Sequence, residues 1–259
     1  MRNPNHGRVW KTPATGKVVR RACLAAALAL GWICSADAAC RQALALGLDV
    51  SGSVDAREFR LQLDGLANAL EAPPVVERLL AMPTAPVRLA AFDWSSPERQ
   101  RVILSWRSVR TFSDITAIAS RLRRTARAVE VGANANSTAT AIGTAMLYGV
   151  TMLELQQECW KLTLDLSGDG KNNTGLPPQE AFIPNRFTIN GLVIGSDNPA
   201  TGDTRQVEIG ELSSYYKAFV IRGPNAFVET ALGYEDFERA MTRKLIRELE
   251  GLVIGAIEP

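Results

Sequence analysis

The chemistry-bearing residues begin with Asp49, Ser51 and Ser53, which close the stretch Leu46-Gly47-Leu48-Asp49-Val50-Ser51-Gly52-Ser53-Val54. One carboxylate and two hydroxyls at alternate positions offer only hard oxygen donors, the kind that Mg²⁺ or Mn²⁺ takes. The same residues have a plainer use, since Ser and Asp also cap the first turn of a following helix. Two later stretches carry further oxygens. Thr140 lies in the polar loop Thr138-Ala139-Thr140-Ala141-Ile142-Gly143-Thr144, and Asp169 ends the apolar run Leu162-Thr163-Leu164-Asp165-Leu166-Ser167-Gly168-Asp169.

The elements that must position these groups follow from the hydrophobic pattern. The run before Asp49 reads as a buried strand, and Phe59, Leu61, Leu63, Leu66, Ala67 and Leu70 read as a helix right after it. Acids and hydroxyls at such a strand-to-helix junction lie at the carboxyl edge of a sheet, where open α/β folds bind ligands. The helix Ala56–Leu70 stops at Glu71-Ala72-Pro73-Pro74, and 76–81 forms a short helical turn. A second strand is expected at Val87–Trp94, and Gln100–Trp106 returns from it as an antiparallel edge strand. A helix is expected between Arg107 and Arg127, opened by Ser113-Asp114. Its Arg121, Arg123, Arg124 and Arg127 make a solvated face. A small-residue loop, 131–140, leads to Thr140 and to a helix over Ala141–Leu155. The run through Leu166 is a strand, Pro177–Glu180 starts a short helix, Phe187–Ile194 is the fifth strand and Tyr215–Ile221 the sixth. The last helix spans Tyr234–Leu249.

Taken together, the D-x-S-x-S strand end, the distant Thr and the later Asp resemble the metal-ion-dependent adhesion site (MIDAS) of the von Willebrand factor type A (VWA) domain. About 90 residues and then about 30 separate the three parts, in the order that family uses. Phe92-Asp93-Trp94-Ser95, Ser167-Gly168-Asp169-Gly170 with Asn172-Asn173, and Ile189-Asn190-Gly191-Leu192 are similar to a bacterial exported subgroup, DUF1194, which brings no biochemical role with it. The resemblance covers 39–251. It implies an α/β, Rossmann-like doubly wound, mostly parallel six-stranded sheet with one antiparallel edge strand and helices on both faces. It further implies that Ser51, Ser53 and Thr140 contact Mg²⁺ or Mn²⁺, with Asp49 and Asp169 acting directly or through water. An open position on the ion would then accept an Asp or Glu carboxylate from a partner protein. Asp165 and Asp93 read as structural acceptors rather than ligands.

Ahead of the domain, residues 1–38 read as a signal peptide. Arg2, Arg8, Lys11, Lys17, Arg20 and Arg21 form a basic region, Ala22–Cys34 is apolar but too short for a bilayer, and Ala36-Asp37-Ala38 fits small-x-small cleavage. The expected mature chain, 39–259, is then one α/β domain of about 220 residues, exported to the periplasm or beyond, with no transmembrane span. Lys plus Arg number 29 against 27 Asp plus Glu. Loss of the leader removes six of the bases and one acid, so the balance turns negative and offers nothing for nucleic acid. Cys40 and Cys159 remain, each about ten residues ahead of a site aspartate. In strand order 3-2-1-4-5-6 the first and fourth strands are neighbours. If both Asp residues meet at one edge, both Cys residues meet at the other, and a Cys40–Cys159 disulfide is expected.

Enzyme classes narrow on the same inventory. The single histidine, His6, falls in the leader, which removes Ser-His-Asp and Cys-His nucleophiles from the mature chain. A phosphate-binding P-loop, G-x-G-x-x-G and G-x-S-x-G are all absent. A Mg²⁺-dependent hydrolase or phosphotransferase using Asp49 as nucleophile would want a second carboxylate where Ser51 stands. The expectation is therefore a non-enzymatic binding domain, with a metal-free scaffold as the third possibility.

Overall fold

A computed structural model describes residues 40–127, 139–195 and 205–250. The expected leader, most of the loop before Thr140, and residues 251–259 lie outside the described residues. Strand β1 is Cys40–Asp49, buried along its whole length. Its side chains alternate: Leu44, Leu46 and Leu48 enter one hydrophobic core and Ala43 and Ala45 the other, as a period of two requires of a strand covered on both faces. The helix α1 (Ala56–Glu71) follows, then α2 (Pro73–Leu80), with prolines at its first two positions, where a missing N–H costs nothing. Strands β2 (Val87–Trp94) and β3 (Gln100–Val109) form the hairpin, followed by helix α3 (Phe112–Arg123). Helix α4 (Ile142–Glu154) leads to β4 (Cys159–Gly168), and β5 is Phe187–Ile194. Beyond it come α5 (Arg205–Tyr215), a π-helical turn Tyr216–Val220, β6 (Val228–Ala231) and α6 (Phe237–Glu250).

The six strands lie in the order β3-β2-β1-β4-β5-β6. Only β3 runs antiparallel to its neighbour, so the doubly wound, mostly parallel sheet with one antiparallel edge is present. One core joins the Leu44, Leu46 and Leu48 face to α1, α3 and α6. The other joins the Ala43 and Ala45 face to α4, α5 and Tyr216. In β1 and β4, Cys40 pairs with Cys159 at one end and Leu48 with Ser167 at the other. The register therefore sets the sulfurs together at the amino edge and the acids together at the carboxyl edge. Cys40 and Cys159 form the disulfide, their Cα atoms 4.3 Å apart.

Three elements differ most from expectation. The sixth strand is Val228–Ala231, parallel to β5 through Gly191↔Val228. The stretch Tyr215–Ile221, expected in its place, is the end of α5 and the π-helical turn. Its aromatic and β-branched composition imitates a strand, but Tyr216 packs against the face of Gly191 instead of pairing beside it. The helix expected from Arg107 to Arg127 is shorter, because Arg107, Ser108 and Val109 stay in the hairpin opposite Leu89, Arg88 and Val87. It starts after Thr111, whose hydroxyl and the Asp114 carboxylate cap each other's backbone amides. Helix α5 itself was not expected, since its apolar residues are few and Val207 is exposed. The arginine face is exposed at Arg121, Arg123 and Arg124, as expected, and two of these also bond neighbouring elements. Arg123 bonds Glu71 and Asn68, each at 2.6 Å, and Arg121 Nε donates to the Ile103 carbonyl.

Candidate metal centre

Asp49 is the last residue of β1 and is completely buried. The chain turns so sharply after it that the Ser51 amide donates to Asp49 Oδ1 at 2.7 Å. Ser51 and Ser53 then face each other, their hydroxyl oxygens 3.1 Å apart, and Ser53 donates to Asp169 Oδ1 at 2.9 Å. The helix-capping role open to these residues is taken elsewhere. Asp55 is the N-cap of α1 and accepts from the Glu58 amide, while Glu58 reaches back to the Asp55 amide. The two serines and Asp49 are thus left for other work.

Thr140 joins the group from the far side. Its amide donates to Asn173 Oδ1 at 2.8 Å, the Asn173 amide returns a bond to its carbonyl at 3.0 Å, and the next residue, Ala141, donates to the Ser95 carbonyl at 2.8 Å. The loop after β4 and the end of β2 therefore clamp the threonine. A β-carbon on Gly170 would come 3.7 Å from Thr140 Oγ1, which places that hydroxyl beside the Asp169–Gly170 turn. All five residues named from the sequence sit along one edge of the sheet, at the carboxyl ends of β1 and β4 and the start of α4.

Several supporting residues had no signal that sequence reading used. Gln62, buried on α1, donates to the Asp49 carbonyl at 2.9 Å and accepts from Ser167, which also bonds the Gly47 carbonyl. It ties the ends of β1 and β4 to the helix between them. A lone amide within the apolar face of α1 was its visible trace. Tyr234 donates its hydroxyl to Asp169 Oδ2 at 3.1 Å. By contrast, Asp93 and Asp165 are spent on structure. Asp93 pairs with Arg101 across the hairpin, and Asp165 Oδ1 lies 2.9 Å from Lys244 Nζ.

The electrostatics favour a cation. Burial pushes the Asp49 carboxyl well above its usual range, and the charge of Asp169 pushes it further. Asp169 is also raised by burial, against the hydrogen bonds from Ser53 and Tyr234. Asp49 Oδ2 is shielded from solvent with no hydrogen-bond partner. Two carboxylates that oppose each other's ionisation, together with three hydroxyls, match the donor set of a hard divalent ion. Among the described residues no three His, Cys, Asp or Glu side chains gather into a metal-binding group, so any ion here must rely on the hydroxyls as well.

A family model described as "Protein of unknown function (DUF1194)" matches residues 39–253. The chain belongs to the DUF1194 family. Solved structures extend the likeness to the VWA-like fold. The DUF1194 chain is similar to proximal thread matrix protein 1 from the mussel byssus, in a structure with a zinc-occupied MIDAS motif. The TM-score is 0.52 and the identity 13%, over 82% of this chain and 47% of that one. It is also similar to the pilus adhesin SpaC from Lactobacillus rhamnosus GG, with a TM-score of 0.50 and 12% identity over 82% of this chain and 31% of that one. At such identities the likeness is one of fold, and this chain spans less than half the length of either. No curated protein matches it in sequence. No helix among the described residues is long and apolar enough to cross a membrane.

Proposed function

We propose that this DUF1194 protein is an exported, non-enzymatic binding domain that captures an acidic residue of a partner protein through a divalent metal ion, Mg²⁺ or Mn²⁺. Ser51, Ser53 and Thr140 hold the ion by their hydroxyls, and Asp49 and Asp169 hold it directly or through water. When bound, the metal supplies a Lewis-acidic position that neutral hydroxyl ligands leave strongly electrophilic. This chain's residues do the rest. Ser53, the outermost donor, lies at the solvent-exposed mouth, while Asp49 is held at the back by the Ser51 amide and by the Gln62 bond to its carbonyl.

The observation that carries the proposal is the convergence of both carboxylates and both serines within hydrogen-bonding reach, with Asp55 and Glu58 relieving them of capping. An aspartyl nucleophile fits less well, because Asp49 has no access to solvent. Thermal unfolding of the purified protein against Mg²⁺ and Mn²⁺, beside Asp49→Ala, tests the reading. A ligand that binds only the folded state adds about 2.7 kcal/mol at one hundred times its Kd. The expected result is a metal-dependent rise in Tm that the variant loses, followed by chelator-sensitive capture of a partner. No shift with millimolar metal in either protein would leave a metal-free scaffold.

A further inference from the structure

Tyr216 occupies a slot that two strand glycines keep open. It begins the π-helical turn and is fully buried. π-Helical turns are rare and recur at functional sites. A β-carbon at Gly191 would meet its Cδ1 at 2.6 Å, and one at Gly168 would meet its hydroxyl oxygen at 2.5 Å. The same position at Gly168 is 3.0 Å from Asp49 Oδ2 and 3.6 Å from Trp94 Cζ2. The phenol, the inner oxygen of Asp49 and the Trp94 indole thus surround the space that a side chain at Gly168 would fill, behind the metal edge. Tyr216 OH, Asp49 Oδ2 and Trp94 Nε1 are all shielded from solvent, and none has a hydrogen-bond partner. Buried polar atoms rarely stay unpaired. Here an acceptor and a phenol donor do so on either side of one glycine, with an unpaired indole N–H on the neighbouring tryptophan.

We infer that Tyr216 is a positioning residue for the metal centre, its hydroxyl being the donor reserved for the inner oxygen of Asp49, with Trp94 Nε1–H as the second donor beside it. The inference rests on the metal-binding reading above. With Oδ1 held by the Ser51 amide, a donor at Oδ2 fixes the rotation of the carboxylate. A phenol keeps its proton at neutral pH and so can donate it. The pair Tyr216–Asp49 would then repeat, on the other acid, what Tyr234 does for Asp169. Groups that hydrogen-bond a metal-ligating carboxylate commonly govern affinity by about 10–100-fold.

The test is Tyr216→Phe, which keeps the ring in its glycine slot and removes only the hydroxyl. In chelator the variant is expected to unfold at or above the wild-type Tm, because a buried unpaired oxygen is gone. In a Mg²⁺ or Mn²⁺ titration followed by thermal shift, its apparent metal affinity is expected to fall about 10–100-fold. A variant that binds metal like the wild type makes Tyr216 a space-filling residue and overturns the inference, while the Asp49→Ala comparison still supports the site. A wild-type protein with no metal response overturns both.

Discussion

The Tyr234 hydroxyl donates to Asp169 Oδ2 across 3.1 Å, which ties the chain entering α6 to the loop after β4. Tyr234 is itself buried, and burial together with the charge of Asp169 keeps its phenol protonated. Replacing it with Phe removes one charge-assisted bond while leaving the ring in the core. The expected cost is about 1–2 kcal/mol, read as a lower urea midpoint at an unchanged slope.

Lys244 stands between two buried carboxylates, 2.9 Å from Asp165 and 2.8 Å from Glu248, with Asn190 donating to Glu248 at 2.7 Å. Burial opposes the charge on Lys244, but the two acids outweigh it and raise its pKa. Asp165 is pushed up to about 7, chiefly by burial. A carboxyl bound more tightly by protons in the folded state stabilises fully below its unfolded pKa, and that stability is lost as pH rises through the folded value. The wild type is therefore expected to lose stability relative to Asp165→Asn between about pH 4 and 7, measured as the difference in unfolding free energy across that window. An unchanging difference would contradict the assignment. Lys244→Met, which strands both acids, is expected to cost about 3–5 kcal/mol.

The disulfide closes the widest loop in the sheet, since Cys40 and Cys159 are 119 residues apart in sequence. Reduction, or Cys40→Ser with Cys159→Ser, is expected to cost about 2–5 kcal/mol. Unfolding with and without reductant reports it, and the double variant should ignore the reductant. Because the bridge lies at the edge of the sheet away from Asp49, the metal response should survive.

Asn173 is the clamp on Thr140. Asn173→Ala removes the acceptor for the Thr140 amide at a cost of about 1 kcal/mol in stability. It leaves Thr140 held on that side by the Asn173 backbone amide alone, so the loosened threonine is expected to make the metal-dependent Tm shift need more Mg²⁺ or Mn²⁺. A variant destabilised to that degree but with an unchanged metal midpoint would show that Thr140 is positioned without it.

Much of this arrangement is legible in the sequence. The β1 and β4 runs each end in an acid, and each has a cysteine about ten residues earlier. One parallel pairing therefore explains both the disulfide and the meeting of Asp49 with Asp169. Residues 215–221 imitate a strand because Tyr215-Tyr216-Lys217-Ala218-Phe219-Val220 has a strand's composition. What excludes a strand there is the slot over Gly191, which exists only once β5 is in place. The true β6, four residues with Val228, Glu229 and Thr230 only half buried, shows almost no pattern. Gln62 and Tyr234 were overlooked for a similar reason, since each reaches its acid or its carbonyl across elements far apart in the chain.

The sequence by itself determined the chemistry at this edge: two carboxylates and three hydroxyls, hard oxygen donors in a fixed order, no histidine beyond residue 6, and apolar runs that must become the inner strands. Those follow from residue type and local period, which need no partner. Only the tertiary structure decided that Asp55 and not a serine caps α1, that Asp165 belongs to Lys244, and that Tyr216, Trp94 and the inner oxygen of Asp49 gather about Gly168. These depend on strand order, register and the room left by glycines. Contacts between residues a hundred positions apart are set by how the whole sheet closes its two cores.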